Sequence, residues 1–175
     1  GIYPGTIFTG SFLVIAAAYT VFLLFCAYPG IVPGDATWQY QIIYGVVPPS
    51  NHHPYYHTLL MKLFVDIGHL VSDDNNTGVF LYVLFQMLLA AAVTAYAAMT
   101  VYQAKRRMIC PVVITLIMIT PYHMNLCAVV TKDVPFALMV FLMVTALYRV
   151  FYDIGDRRAS LVFVWIGAVG MGVFR

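Results

Sequence analysis

Residues Asn75–Arg107 read NNTGVFLYVLFQMLLAAAVTAYAAMTVYQAKRR. No charged side chain occurs from Asn75 to Ala104, and three cations, Lys105, Arg106 and Arg107, then arrive together. A helix rises 1.5 Å per residue, so about 20 apolar residues cross the roughly 30 Å hydrocarbon core of a bilayer. This run is longer than that, and its basic end is the kind that stays on one side of a membrane.

The rest of the chain repeats the pattern. Charge-free runs extend from Gly1 to Gly34, Met108 to Thr131, Val134 to Tyr148 and Ala159 to Phe174. Charged residues are 9% of the 175, hydrophobic residues 62%, and mean hydropathy is +0.87. About a quarter of an ordinary soluble domain is charged, so this chain lacks the polar groups to cover a water-facing surface. The fold class is all-α, a polytopic transmembrane helix bundle in a single domain. Spans are expected at about 7–28, 78–103, 109–130, 134–152 and 159–175. Pro29-Gly30 ends the first, and Pro121 kinks the third. The last apolar run reaches Arg175, and further spans are expected beyond it.

Basic residues favour cytoplasmic loops. Placing Lys105–Arg107 and Arg149, Arg157 and Arg158 inside makes the topology alternate, with a long outer loop at 29–77 and a short outer turn at Lys132-Asp133. Connections between packed helices usually take 2–8 residues, so a loop of this length is expected to be structured. Asp35 to Gly45 reads as a short helix with Asp35 as N-cap and Gly45 as its end. A second helix follows from Pro54 in its first turn to about Leu70, with Leu59, Leu60, Leu63, Phe64 and Ile67 on one face. Both are expected to lie in the membrane interface.

The outer face collects the groups that can do chemistry. Asp35 is either a helix cap or a carboxylate poised as a general base or cation ligand. His52, His53 and His57 lie in NHHPYYHT, residues 51–58. His53 and His57 are four apart, a spacing that can hold zinc. A zinc-hydrolase motif needs Glu after the first histidine, and Pro54 stands there. The histidines otherwise hydrate the start of a helix or bind a phosphate or sugar. Lys132-Asp133 opens the fourth span, either as an interfacial anchor with Asp133 capping the helix, or with Arg175 as part of a charged set with Asp35. Tyr55, Tyr56, Tyr122 and His123 fit an aromatic belt or a stacking surface for a sugar ring. Cys26, Cys110 and Cys127 have no metal-ligand spacing. Cys26 and Cys127 fall near one membrane face, so a disulfide between them is open beside the plainer reading as small apolar residues. The net charge of +2 says little about partners, and no basic patch suggests nucleic acid, so none is expected.

The order Tyr28-Pro29-Gly30, Asp35, Gln39 and Gln41, His52-His53-Pro54, His57-Thr58, then Lys132-Asp133-Val134-Pro135-Phe136, resembles the GT-C class of membrane glycosyltransferases over roughly residues 8–175. The resemblance implies a bacterial plasma-membrane enzyme of the cell envelope that transfers a sugar from a polyprenyl-phosphate donor to a glycan, lipid or protein acceptor at the extracytoplasmic face. It implies catalytic carboxylates at Asp35 and Asp133; the chemistry of such a transfer adds substrate contacts from Gln39, His52, His53, His57, Lys132 and Arg175, the cations and histidines offsetting charge on the leaving phosphate. Many members carry paired acids where Asp35 stands alone, and a divalent cation is the one cofactor the resemblance leaves open. A transporter or flippase for a lipid-linked or anionic solute is the alternative. It calls for polar groups within the spans and broken helices, of which scattered threonines, Gln86 and the Pro121 kink are the candidates. A non-catalytic scaffold leaves the long structured loop without a purpose.

Overall fold

A computed structural model describes residues 2–48, 54–105 and 107–174. Among the described residues eight helices follow in order: α1 (Pro4–Cys26), α2 (Gly34–Ile43), α3 (Tyr55–Val71), α4 (Asn75–Lys105), α5 (Ile109–Met118), α6 (Pro121–Ala128), α7 (Asp133–Phe151) and α8 (Arg157–Phe174). Among the described residues there is no strand, only an isolated parallel bridge between Ile31 and Val129.

Helices α1, α4, α7 and α8 are each long and apolar enough to cross a membrane, and α5 with α6 form a fifth, bent candidate. The protein is therefore an all-helical bundle with several helices able to span a membrane, consistent with an integral membrane protein. Its outward faces agree: Phe25 is 82% exposed and Trp165 70% exposed, with Leu13, Leu116 and Val169 also uncovered. Lipid tails cover such side chains at no cost, whereas water does not.

The bend in the third span has a local cause. Pro121 has no N–H to donate and opens α6, Thr120 before it takes an extended conformation, and the helix axes part by 54°. The Thr120 hydroxyl donates to the Ile117 carbonyl at 2.8 Å, which occupies an acceptor freed at the break.

Helix α4 is the axis of the bundle. Ala90, Ala91, Ala95, Ala97 and Ala98 are buried along it, and small side chains let neighbouring helices approach closely. Tyr19, Ile15 and Leu23 of α1 pack against it as the largest fully buried side chains of that helix. Its 31 residues make about 46 Å of helix at 1.5 Å per residue. That exceeds a roughly 30 Å hydrocarbon core, so the helix is longer than a span needs. Helix α3 packs along the first turns of α4. It folds back on the start of α4 with backbone against backbone: a Cβ on Gly68 would sit 2.6 Å from the Gly78 nitrogen, and one on Gly78 would sit 2.8 Å from Val65 Cα. Helix α3 is a hairpin partner of α4, with Met61 and Val65 buried between them.

The two ends of the bundle differ. At one, Ile2 at the start of α1 bonds to Tyr102 near the end of α4, and Arg149 of α7 bonds to Gln103. At the other, the chain after α1 pairs with the chain after α6, where the Ile31 amide donates to the Ala128 carbonyl and the Val130 amide to the Ile31 carbonyl. Cys26 and Cys127 are not bonded to each other: Cys26 is exposed, and the buried Cys127 thiol lies 3.9 Å from the Tyr19 hydroxyl.

Candidate functional site

Helix α2 is framed by its sequence. Pro33 takes an extended φ of −74° just before it, and Gly45, at φ +70°, turns the chain out of it. The Val46 amide then reaches back to the Gln41 carbonyl at 2.8 Å, a bond that a left-handed residue after a helix makes possible. The N-cap is Pro33, not Asp35. Asp35 sits inside the first turn, exposed, with no side-chain cap bond, where its charge complements the helix dipole. Asp133 departs from expectation in the same way. Lys132, already helical at φ −64° and ψ −25°, precedes α7, and the Asp133 amide bonds to Thr131 Oγ1 at 3.2 Å. Thr131 Oγ1 donates to Asp133 Oδ2 at 3.3 Å. Asp133 is exposed and Lys132 half-buried.

The two acids are related through the Ile31–Val129 bridge. The paired segments run parallel, and each acid follows its bridge residue by four positions. The loop that carries Ile31 is seated by Gly30. Its φ is +140°, and a Cβ there would meet Val83 Cγ2 at 2.5 Å, so any larger residue lifts the loop off α4. The Tyr28-Pro29 peptide beside it is cis.

Beneath this loop lies a buried polar relay. Gln39 Nε2 is 3.0 Å from His57 Nδ1, His57 Nε2 is 2.8 Å from the Tyr82 hydroxyl, and Tyr82 donates to Gln86 Oε1 at 3.2 Å. Gln86 Nε2 donates to the carbonyls of Cys127 at 2.9 Å and Val129 at 2.8 Å. With the His57 proton on Nε2, every bond in this chain donates in one direction, from α2 to the segment that carries Asp133. Gln39 Nε2 also donates to Thr58 Oγ1 at 2.8 Å. His57, Gln39, Tyr82 and Gln86 are all at most 3% exposed. A buried network of this kind fixes its helices relative to one another.

The expected wet rim is thus split. Gln39 and His57 come together, but in the core under the loop and not at an open lip. Asp35, Asp133 and Lys132 remain at the surface above it. Tyr55 and Tyr56 are exposed with their rings 5.7 Å apart, and Tyr122 is exposed beside His123. His52, His53 and Arg175 lie outside the described residues. Among the described residues, no group of three or more His, Cys, Asp or Glu side chains is placed to hold a metal ion.

Tyr40 adds an orphan to this end of the molecule. It is buried on α2, and its hydroxyl has no hydrogen-bond partner among the described residues. Burial, with Tyr44 nearby, pushes its phenol well above the usual range, and burial raises Tyr44 as well.

Sequence reasoning did not foresee Tyr82 and Gln86 as partners of the loop. Their signal was a pair of polar side chains four apart in an otherwise apolar span, a spacing that puts both on one helix face. Arg149 was read as a topological marker, yet it is buried, with three hydrogen bonds to side chains.

Comparison with curated proteins and with solved structures returns no match. Comparison with protein families matches residues 49–173, well over half of the chain and including His57, Tyr82, Gln86 and Asp133, to one described as a family of unknown function (DUF6020). The chain belongs to that family.

Proposed function

We propose that this protein is a membrane glycosyltransferase that moves a sugar from a polyprenyl-phosphate donor to an acceptor at the extracytoplasmic face. The observation that carries the reading is the parallel bridge of Ile31 to Val129, from which Asp35 and Asp133 follow four residues on, each in the first turn of a helix, α2 and α7. The GT-C-like order of short motifs, Tyr28-Pro29-Gly30 to Asp35 and Lys132 to Phe136, supports the same reading.

In this mechanism the acceptor hydroxyl oxygen attacks the anomeric carbon. The bond from that carbon to the donor phosphate oxygen breaks, and its electron pair leaves on the polyprenyl phosphate. Asp35 takes the hydroxyl proton. Lys132, with His52, His53 and Arg175, offsets the charge that develops on the phosphate. Attack in line inverts the anomeric centre. Gln39 and His57 act by holding α2, and hence Asp35, against α3 and α4. Asp133 orients the acceptor from the first turn of α7.

The alternative, a transporter for a lipid-linked or anionic solute, needs a polar path through the spans. The buried face of α4 is polar at Tyr82 and Gln86 and again at Thr94 and Thr100, but Met87, Ala90, Ala91 and Val93 interrupt it, which weighs against that reading. The test is transfer by the full-length protein in vesicles from a panel of polyprenyl-phosphate sugars. Release of polyprenyl phosphate that depends on an added acceptor supports the transferase. Movement of intact donor between leaflets without release supports the transporter instead.

A further inference from the structure

The first half of α1 and the short α5 bracket a space that neither fills. Ile7, Gly10 and Val14 recur at three- and four-residue steps and so share one face of α1. Pro111, Val112 and Leu116 of α5 complete the wall of a cavity of about 410 Å³. One hydrogen bond joins the two helices there: Thr115 Oγ1 donates to Ser11 Oγ at 3.0 Å, and both residues are buried. That bond pairs the two hydroxyls with each other, and the wall is otherwise mostly apolar. The opening is written into the sequence at Gly10. A Cβ there would meet no atom within 4 Å, so position 10 has room for a side chain and carries none.

An empty space of this kind is unfavourable, because its walls lose dispersion contacts on one side. Water does not fill it, since apolar cavities stay dry. Its volume lies within the range of about 300–1,000 Å³ that ligand pockets span. From Thr6 to Val14 the cavity follows α1 for about 12 Å at 1.5 Å per residue. That is close to the roughly 15 Å that one leaflet contributes to a hydrocarbon core. Val14, Val112 and Leu116 are exposed, so the cavity is a groove on the outside of the bundle, where a bilayer places hydrocarbon.

A charge stands at one end of the groove. Met108 lines it at the start of α5, and Arg107 directly precedes Met108. Ile2, held through its backbone by the Tyr102 hydroxyl, lines it too. Arg107 is exposed and forms no ion pair among the described residues. No acidic residue occurs from Asn75 to Lys132, so nothing along that stretch of chain offsets Lys105, Arg106 and Arg107.

We propose that this groove seats one acyl chain of an anionic phospholipid, with Arg107 holding the headgroup phosphate. Apolar walls about one leaflet deep fit a hydrocarbon chain, and the cation beside Met108 selects the charge above it. Basic pockets between spanning helices take anionic lipids on this principle, and the planar donors of a guanidinium match phosphate oxygens. The site uses neither Asp35 nor Asp133 and stands or falls independently of sugar transfer.

The test is native mass spectrometry of the purified full-length protein, released from nanodiscs that hold phosphatidylglycerol and phosphatidylcholine in equal amounts with identical acyl chains. The wild type is expected to retain one lipid per chain, favouring phosphatidylglycerol about fivefold. Gly10→Leu fills the groove and should lose that lipid at an unchanged thermal midpoint. Gly172→Leu adds the same bulk on α8, where a Cβ also meets nothing within 4 Å, and should keep it. Arg107→Gln should keep one lipid and lose the preference. If Gly10→Leu does not fold, the wild-type preference and its loss in Arg107→Gln decide. No retained lipid in the wild type, equal retention of the two, or undiminished retention in Gly10→Leu overturns the proposal. So does a preference that survives Arg107→Gln, and so does a wild-type dimer that Gly10→Leu dissolves, which would give the groove to a second copy.

Discussion

His57 Nε2 and the Tyr82 hydroxyl stand 2.8 Å apart, and through that bond the loop helices of this membrane protein are keyed to its central span. Tyr82 both accepts from His57 and donates to Gln86, so Tyr82→Phe breaks the relay in two places and leaves buried groups unpaired. The expected loss is about 1–3 kcal/mol, read as a lower thermal midpoint of the purified protein. Combined with Gln39→Ala, the losses should fall short of additivity by about 0.5–3 kcal/mol. An unchanged midpoint in Tyr82→Phe contradicts the relay.

Tyr40 should behave in the opposite way. Its hydroxyl is buried and unpartnered among the described residues, so Tyr40→Phe removes a desolvation cost and is expected to be neutral or stabilising by about 1–2 kcal/mol. The pH dependence follows from the same burial. The folded phenol titrates above its ordinary 10.0, so the unfolded chain loses its proton first. Stability attributable to Tyr40 is complete below about pH 10 and is lost as pH rises beyond it. Chemical denaturation followed from pH 8 to 11 should show a steeper decline in the wild type than in Tyr40→Phe, with Tyr44 leaving part of the slope in both.

The α3–α4 hairpin depends on two glycines in contact. A Cβ on Gly78 would press on Val65 Cα at 2.8 Å, and a backbone atom cannot rotate away. Gly78→Ala is expected to destabilise by about 1–3 kcal/mol through overpacking. Gly172 meets nothing within 4 Å, so Gly172→Ala in the same assay should leave the midpoint essentially unmoved.

The bridge between the two acidic loops can be trapped covalently. Paired strand residues lie about 4.8 Å apart, within the roughly 4.4–6.8 Å that a disulfide spans between Cα atoms. With Cys26, Cys110 and Cys127 replaced by Ala, the pair Ile31→Cys and Val129→Cys should oxidise readily, seen as a cross-linked peptide by mass spectrometry. A pair that stays reduced under mild oxidant would mean that the loops are not neighbours in the membrane.

The spans were legible because lipid makes a simple demand. Runs without charge are long, and Pro29-Gly30, Lys105–Arg107 and Arg157-Arg158 punctuate them, so the expected 7–28 and 134–152 lie within three residues of Pro4–Cys26 and Asp133–Phe151. Pro121 announced the break in the third span. The burial of His57 was not legible, since its partners Gln39 and Tyr82 are 18 and 25 residues away, and local pattern reads a histidine at a helix start as wet. The helix caps were misread for a similar reason. Asp35 and Asp133 have the right chemistry for an N-cap, but Gly34 enters the helix before Asp35, and Lys132 is already helical before Asp133. Arg149 looked like one more cation of a cytoplasmic loop. Only the packing of α4, α7 and α8 shows that its charge is buried.

The central claim is that Asp35 acts as the base in sugar transfer. The direct measurement is the rate of acceptor-dependent polyprenyl phosphate release by full-length protein carrying Asp35→Asn, beside a wild type of equal thermal midpoint. General-base catalysis contributes about 10²- to 10⁴-fold, and a loss of that size, with donor binding retained, is the expected result. An Asp35→Asn protein that transfers sugar as fast as the wild type would contradict the account.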